Sequence, residues 1–250
     1  MALNLRPAHG WRAFAGEVGV IVLGVLIALG AQQAAEALNQ RSEAAETRTA
    51  LTNEIEESLG TLELRRAAQP CIDKRLKELR GLVDEWGRTG SYKTPRWVSQ
   101  ATWFAIGTQR FDAAESAGRL ALLPAEEQYR LGFIHGALVN YRAVQDRESE
   151  AWGSLRMLQS GADTLSPTDR TAIRQALQEA STLNYFIKIR VGQSLEQAAK
   201  YGWKPDMRRA KDTMRLAWKD GKFVPSVCLP IDTPPEVANR QANQRYDLPE

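Results

Sequence analysis

The sequence predicts an all-α fold, in which an N-terminal transmembrane helix continues as a stalk into a multi-helix bundle that ends in an extended, proline-rich tail. Three observations predict it. Val18 to Ala35 contains no ionisable side chain. Downstream, apolar residues recur at three- and four-residue spacings between proline and glycine punctuation, which is the period of helices with one buried face. No alternation of apolar and polar residues of any length marks a strand.

The first element is the run VGVIVLGVLIALGAQQAA. Its strictly apolar part, Val18 to Ala31, would cover ~20 Å as a helix, short of a hydrocarbon core of ~30 Å. Extending it back through Gly16, Ala15, Phe14 and Ala13 reaches roughly 20 residues, enough to span when Glu17 lies hydrated at the headgroup boundary. Trp11 then falls at the interface as an aromatic anchor. The rival is a cleaved signal peptide, with Arg6 and Arg12 as its basic region and Ala28-Leu29-Gly30 as its cleavage site. Against it, QQAAEALNQRSEAAE is built of strong helix formers that carry the helix onward, and Glu17 is unusual at the head of a signal sequence. The basic residues before the run slightly outweigh those after it, which favours a cytoplasmic N-terminus. The expected division is a cytoplasmic arm at 1–13, a span at 14–35, a periplasmic helical domain at 36–221 and the tail at 222–250, in a bacterial inner membrane.

From Gln32 to Ala68 the only helix breaker is Gly60, so the span continues as a charged stalk. Leu51, Ile55, Leu59 and Leu62 dock its later part against the body, and Pro70 is expected to end it. Ile72, Leu76, Leu79, Val83 and Trp86 mark a second helix. RTGSYKT is a loop, and Pro95 is placed to open a helix over WVSQATWFAI. In FDAAESAGRLALLPAEEQ a short helix closes at Gly118, Leu120, Leu122 and Leu123 turn inward, and Pro124 starts a new helix with Glu126 and Glu127 in its first turn. That helix carries Leu131, Ile134, Leu138, Tyr141, Trp152 and Leu155 on its inner side and stops at Gly161. Ser166-Pro167-Thr168-Asp169 supplies a cap, a first-turn proline and an acidic third position. The helix it starts is lined by Ile173, Leu177, Ala180, Ile187, Val191 and Leu195 and closed by Gly202. A last helix runs from Pro205 to Asp220, ahead of the tail.

Composition excludes more than it names. Lys and Arg total 33 against 30 Asp and Glu, a near-balanced surface with no electrostatic footprint for nucleic acid. The two cysteines, Cys71 and Cys228, would be inert buried thiols in the cytosol but a bridged pair in an oxidising compartment. A bridge would pin the tail to the second helix, worth at most ~5 kcal/mol by chain entropy.

No catalytic constellation emerges. Ser116 lacks the strand and the full glycine turn of a nucleophile elbow. His135, the single histidine of the body, has no zinc-ligand company and reads as a core or boundary residue. Neither a metal nor a cofactor is expected. Trp86, Trp97, Trp103, Trp152 and Trp218 fall at helical spacing among apolar residues, as core packing does. On the span, Glu17, Ile21, Gly24, Ala28, Ala31 and Ala35 share one side. Gly24, Ala28 and Ala31 either let a second copy approach closely or reflect the ordinary abundance of small residues in membrane helices. Lys204, Arg208, Arg209, Lys211, Arg215 and Lys219 oppose Met207, Ala210, Met214 and Trp218, giving a basic amphipathic helix that either lies on an anionic bilayer or docks on the body.

GEVGVIVLGVLIALGAQQ, an acidic helix after it, and the FDAAESAGRLALLP corner together resemble a family of uncharacterised bacterial single-pass inner-membrane proteins with a domain of unknown function. The resemblance rests on Gly16, Glu17, Ile27, Ala28, Leu29, Gln32, Phe111, Ser116, Gly118, Leu120 and Leu122. It covers the span and the middle of the chain and implies architecture without an activity. The function expected from all this is a membrane-anchored, non-enzymatic periplasmic module. Its partners are the lipid bilayer and a membrane or envelope protein, or a second copy met through the span. The alternative is a helical bundle that binds or senses a small molecule in a pocket between its helices.

Overall fold

A computed structural model describes residues 10–99, 104–208, 210, 218–219 and 222–243. It is all-α apart from a two-residue antiparallel pair, Trp218–Lys219 with Lys222–Phe223, in which Trp218 faces Phe223 in register.

The first helix, α1, runs unbroken from Gly10 to Thr89, 80 residues. Its residues 15–43 are exposed throughout, and Thr47 is the first to be buried. From there Leu51, Ile55, Leu59, Leu62, Ala68, Ile72, Leu76, Leu79, Val83 and Trp86 face the core. Pro70, expected to end the stalk, instead lies inside α1, and the second helix of the sequence reading is the last quarter of the first. The physical reason lies on either side of it. Proline withholds one N–H from the carbonyl four residues back, but Pro70 and Arg66 are both exposed, so water can solvate that carbonyl. Buried side chains before and after it hold the helical course by packing, which outweighs local propensity.

After α1, residues 90–99 and 104–108 form no helix, contrary to the start expected at Pro95. Their backbone groups are taken by distant partners. Arg96 and Trp97 N–H donate to the Ile231 carbonyl at 3.0 and 2.9 Å, and Arg75 donates to the carbonyls of Trp97 and Val98 at 2.8 and 2.7 Å. Ser99 sits at φ 71°, a left-handed conformation that interrupts any helix. The corner then follows the sequence reading. Helix α2 spans Gln109–Ser116, Gly118 takes φ 68°, and a 3₁₀ turn over Arg119–Leu122 leads to Pro124. Leu123 is buried there, while Leu120 and Leu122 are half-buried.

Helix α3 spans Ala125–Leu155 and α4 spans Pro167–Lys200. The latter opens on a complete capping box, Ser166 accepting from the Asp169 N–H while Asp169 accepts from the Ser166 N–H. Cross-contacts fix the directions. Arg48 meets Glu127 and Arg65 meets Glu148, so α3 runs with α1; Arg65 meets Asn184 while Gly87 lies against Arg170 and Arg174, so α4 runs back. Leu51, Ile55, Leu59 and Leu62 pack with Leu131, Ile134, Leu138, Ile187 and Val191 toward the apolar end of α1. Ile72, Leu76, Leu79, Val83 and Trp86 pack with Trp152, Leu155, Ile173 and Leu177 toward the far end.

The tail is not extended throughout. Ser226–Cys228 forms a 3₁₀ turn, and α5 spans Pro235–Asn243, where proline in the first turn and Glu236 beside it suit a helix start. Val227 and Ala238 are buried. The last helix expected over 205–220 is helical at 207, 208 and 210 but has given way to the strand pair by 218; 209 and 211–217 lie outside the described residues.

Candidate functional site

Between the two apolar clusters each of the three long helices turns at least one polar side chain inward. On α3 the inner stripe reads Tyr141, Gln145, Glu148, Trp152, and all four are buried. On α1, Arg65 and Gln69 fall between Leu62 and Ile72, and on α4 Asn184 falls between Ala180 and Ile187. These positions meet. Arg65, 1% exposed, donates through Nη2 to both Glu148 oxygens at 2.9 and 3.2 Å and to Asn184 Oδ1 at 2.9 Å. Gln69 Nε2 donates to Asn184 Oδ1 at 2.9 Å and to Asp73 Oδ1 at 2.8 Å, and Asn184 Nδ2 donates to the same Asp73 oxygen at 2.8 Å. Every acceptor facing Arg65 and Gln69 is thus engaged.

Burial pushes the Glu148 carboxyl up, against the opposing pull of the Arg65 charge. Burial likewise pushes the Tyr141 phenol up. Its hydroxyl donates to Gln145 Oε1 at 2.9 Å, and Gln145 in turn holds both the N–H and the carbonyl of Phe104, at 2.9 and 3.0 Å. The polar seam therefore ties the irregular 104–108 stretch to α3 as well as joining three helices.

Beside the seam, between α1 and α4, lies a cavity of about 430 Å³ lined by Arg65, Gln69, Asp73, Lys188, Val191 and Gly192, with Arg66 and Pro70 at its edge. Arg65 Nε and Nη1 are buried and meet no acceptor in hydrogen-bonding geometry. The sequence reading missed this site, although a signal was present: a Glu, an Arg and an Asn each occupy an inner-stripe position where a Leu or Ala is usual.

The residues singled out in the sequence are dispersed. Cys71 and Cys228 form a disulfide with Cα atoms 4.8 Å apart. It fastens the tail to α1 beside Arg75, which also donates to the Leu229 carbonyl. Glu17, Gly24, Ala28 and Ala31 are exposed on α1, and a Cβ on Gly24 would meet nothing within 4 Å. Trp11 is in α1 by its backbone, but its side chain lies outside the described residues, as do Trp103 and the side chain of Trp218. His135 stacks on Phe111 at 3.9 Å between ring centroids, with Nε2 3.4 Å from Asp112. Ser116 donates to the Asp112 carbonyl, a local helix bond. Met207 and Ala210, at the start of the basic segment, pack against the far core. Among the described residues no group of three or more His, Cys, Asp or Glu is placed to hold a metal ion.

Set against protein-family models, curated proteins and solved structures, the chain matches none. The resemblance carried by the span and the corner therefore rests on its own residues.

Proposed function

We propose that this chain is a membrane-anchored, periplasmic helical module that acts by contact, as an accessory, scaffold or interaction subunit of an envelope complex. One observation carries the reading. Among the described residues α1 is the one helix long and apolar enough to cross a membrane, and none of its apolar stretch is buried against the body. Val20, Ile21, Leu26 and Ile27 are each 60% exposed or more. A contiguous apolar surface of this kind is unfavourable in water and favourable in lipid. The disulfide suits an oxidising compartment.

The test is topological and then biochemical. Carbonate-washed membranes should retain the chain at its full mass, and protease added to spheroplasts, but not to whole cells, should digest the body. Purification in mild detergent should recover a stoichiometric membrane or envelope partner. A mature chain beginning near Gln32, a body protected in spheroplasts, or a chain recovered alone would each overturn the corresponding part.

A further inference from the structure

The side of α1 that carries Ile21, Gly24, Ala28, Ala31 and Ala35 does not stop where the apolar run stops. The same alternation of three- and four-residue steps continues through Leu38, Ser42, Ala45 and Thr49, so one face keeps a seven-residue repeat over four heptads, ~42 Å of helix. Each of these positions is exposed in the single chain. Leu38 is the one large apolar side chain between residues 32 and 46; it is 64% exposed, and it falls on the repeat rather than beside it. The body packs on the other side. Thr47 lies two positions from both Ala45 and Thr49, which at ~100° per residue turns it ~160° away from each, and Thr47, Leu51 and Glu54 are buried. One heptad beyond Thr49, Glu56 accepts from the Lys204 N–H at 3.2 Å, so from there on the chain covers this face itself.

The residues flanking the repeat say what covers the rest. In a parallel pair of helices, the position just before one core residue meets the partner's position five residues further along. Arg41 and Glu46 stand in that relation. Both are exposed, and among the described residues neither forms an ion pair within its own chain. Two identical helices in register would therefore set Arg41 of each against Glu46 of the other, twice by symmetry. A slip of one heptad in either direction sets Arg41 against Asn39 or Asn53 instead. Within lipid, Gly24, Ala28 and Ala31 allow the close backbone approach that holds membrane helices together. A repeat sustained over four heptads with complementary flanking charges is the signature of a coiled coil.

We propose that two copies of this chain pair in parallel and in register along this face of α1, from the span up the stalk to Thr49, with the two bundles turned outward. The inference rests on the anchoring reading, because insertion in one membrane is what gives both copies of α1 the same direction.

The test uses the full-length, disulfide-intact chain in carbonate-washed membranes, each variant carrying one added cysteine in the exposed stalk. Under mild oxidation Leu38→Cys, Ser42→Cys and Ala45→Cys should yield at least ~5-fold more covalent dimer than Glu36→Cys, Gln40→Cys and Glu43→Cys, since a bridge needs Cα atoms within ~7 Å. Sedimentation equilibrium in density-matched mild detergent supplies the second measurement. Arg41→Glu should raise the dimer Kd ~10-fold by setting like charges together at both sites, and adding Glu46→Arg should bring it back to within ~3-fold of the parent. Cross-linking without this periodicity, cross-links to a different protein in place of a second copy, or a double variant no tighter than Arg41→Glu alone would each overturn the proposal. A chain retained in the membrane at full mass but monomeric refutes the dimer and leaves the anchor standing; a chain released by carbonate refutes both.

Discussion

Glu148 has the lowest exposure of any charged residue among the described residues, at 0%, and its carboxyl is held above the ordinary 4.5 chiefly by burial. A folded carboxyl that keeps its proton more tightly than the unfolded one contributes stability that is fully present below about pH 4.5 and is lost as the pH rises through the higher folded value. Arg65→Met strips the carboxylate of its guanidinium and should cost ~3–5 kcal/mol at pH 7. The loss should shrink as pH falls toward 4.5, because a proton then replaces the missing cation, and Glu148→Gln on the same background should recover most of it at neutral pH. Urea midpoints across pH 4.5 to 7 check this, and a loss independent of pH would contradict it. The individual polar residues of the seam stand on inner stripes and were legible as anomalies there. Their pairing was not, because the register of three helices is set by contacts between residues far apart in sequence, and spacing within one helix carries no information about its neighbours.

Helix boundaries were legible where a cap is local and illegible where packing decides. Gly118, Pro124, the Ser166 capping box and Gly202 act through backbone geometry and hydrogen bonds within a few residues, and the structure places element ends at all four. Pro70 and Pro95 were read by the same local logic and failed, one overridden by buried neighbours on both sides, the other by carbonyls and amides committed to Arg75, Gln145 and Ile231. Gly60 shows a third case. It looked like a mere weak point in the stalk, but it is buried, and a Cβ there would run into the backbone of Asp206, whose N–H donates to the Glu56 carbonyl at 2.7 Å. Its job is close approach of the 203–210 segment to α1. Gly60→Ala should therefore destabilise by ~1–3 kcal/mol through overpacking and open that segment to protease. Gly81→Ala, also in α1 but exposed with nothing near its Cβ position, should stabilise by ~0.5–1 kcal/mol as an ordinary helix substitution. Chemical denaturation of the two variants side by side separates the roles, and equal effects would refute the assignment.

At the scale of the whole molecule, the disulfide and Arg75 hold the tail from one place on α1. Cys228→Ser should cost ~2–4 kcal/mol, less than the chain-entropy limit of ~5, because Arg75 still grips the Leu229 carbonyl. Limited proteolysis should then cut within 225–243 before the bundle unfolds; a first cut within α3 or α4 would show that the bridge serves the core instead. Of the described residues, deleting 1–40 removes only helix, exposed throughout 15–40, so the remainder should stay folded by circular dichroism and sediment as a water-soluble particle. The single course of α1 has a mechanical corollary. With no joint between its apolar half and the bundle, a change of ~10° in tilt at residue 35 swings Gln69, ~50 Å further along the rod, sideways by ~9 Å. A grip on the apolar end and a grip on the far end would thus act on one lever, each felt at the other without any hinge to absorb it.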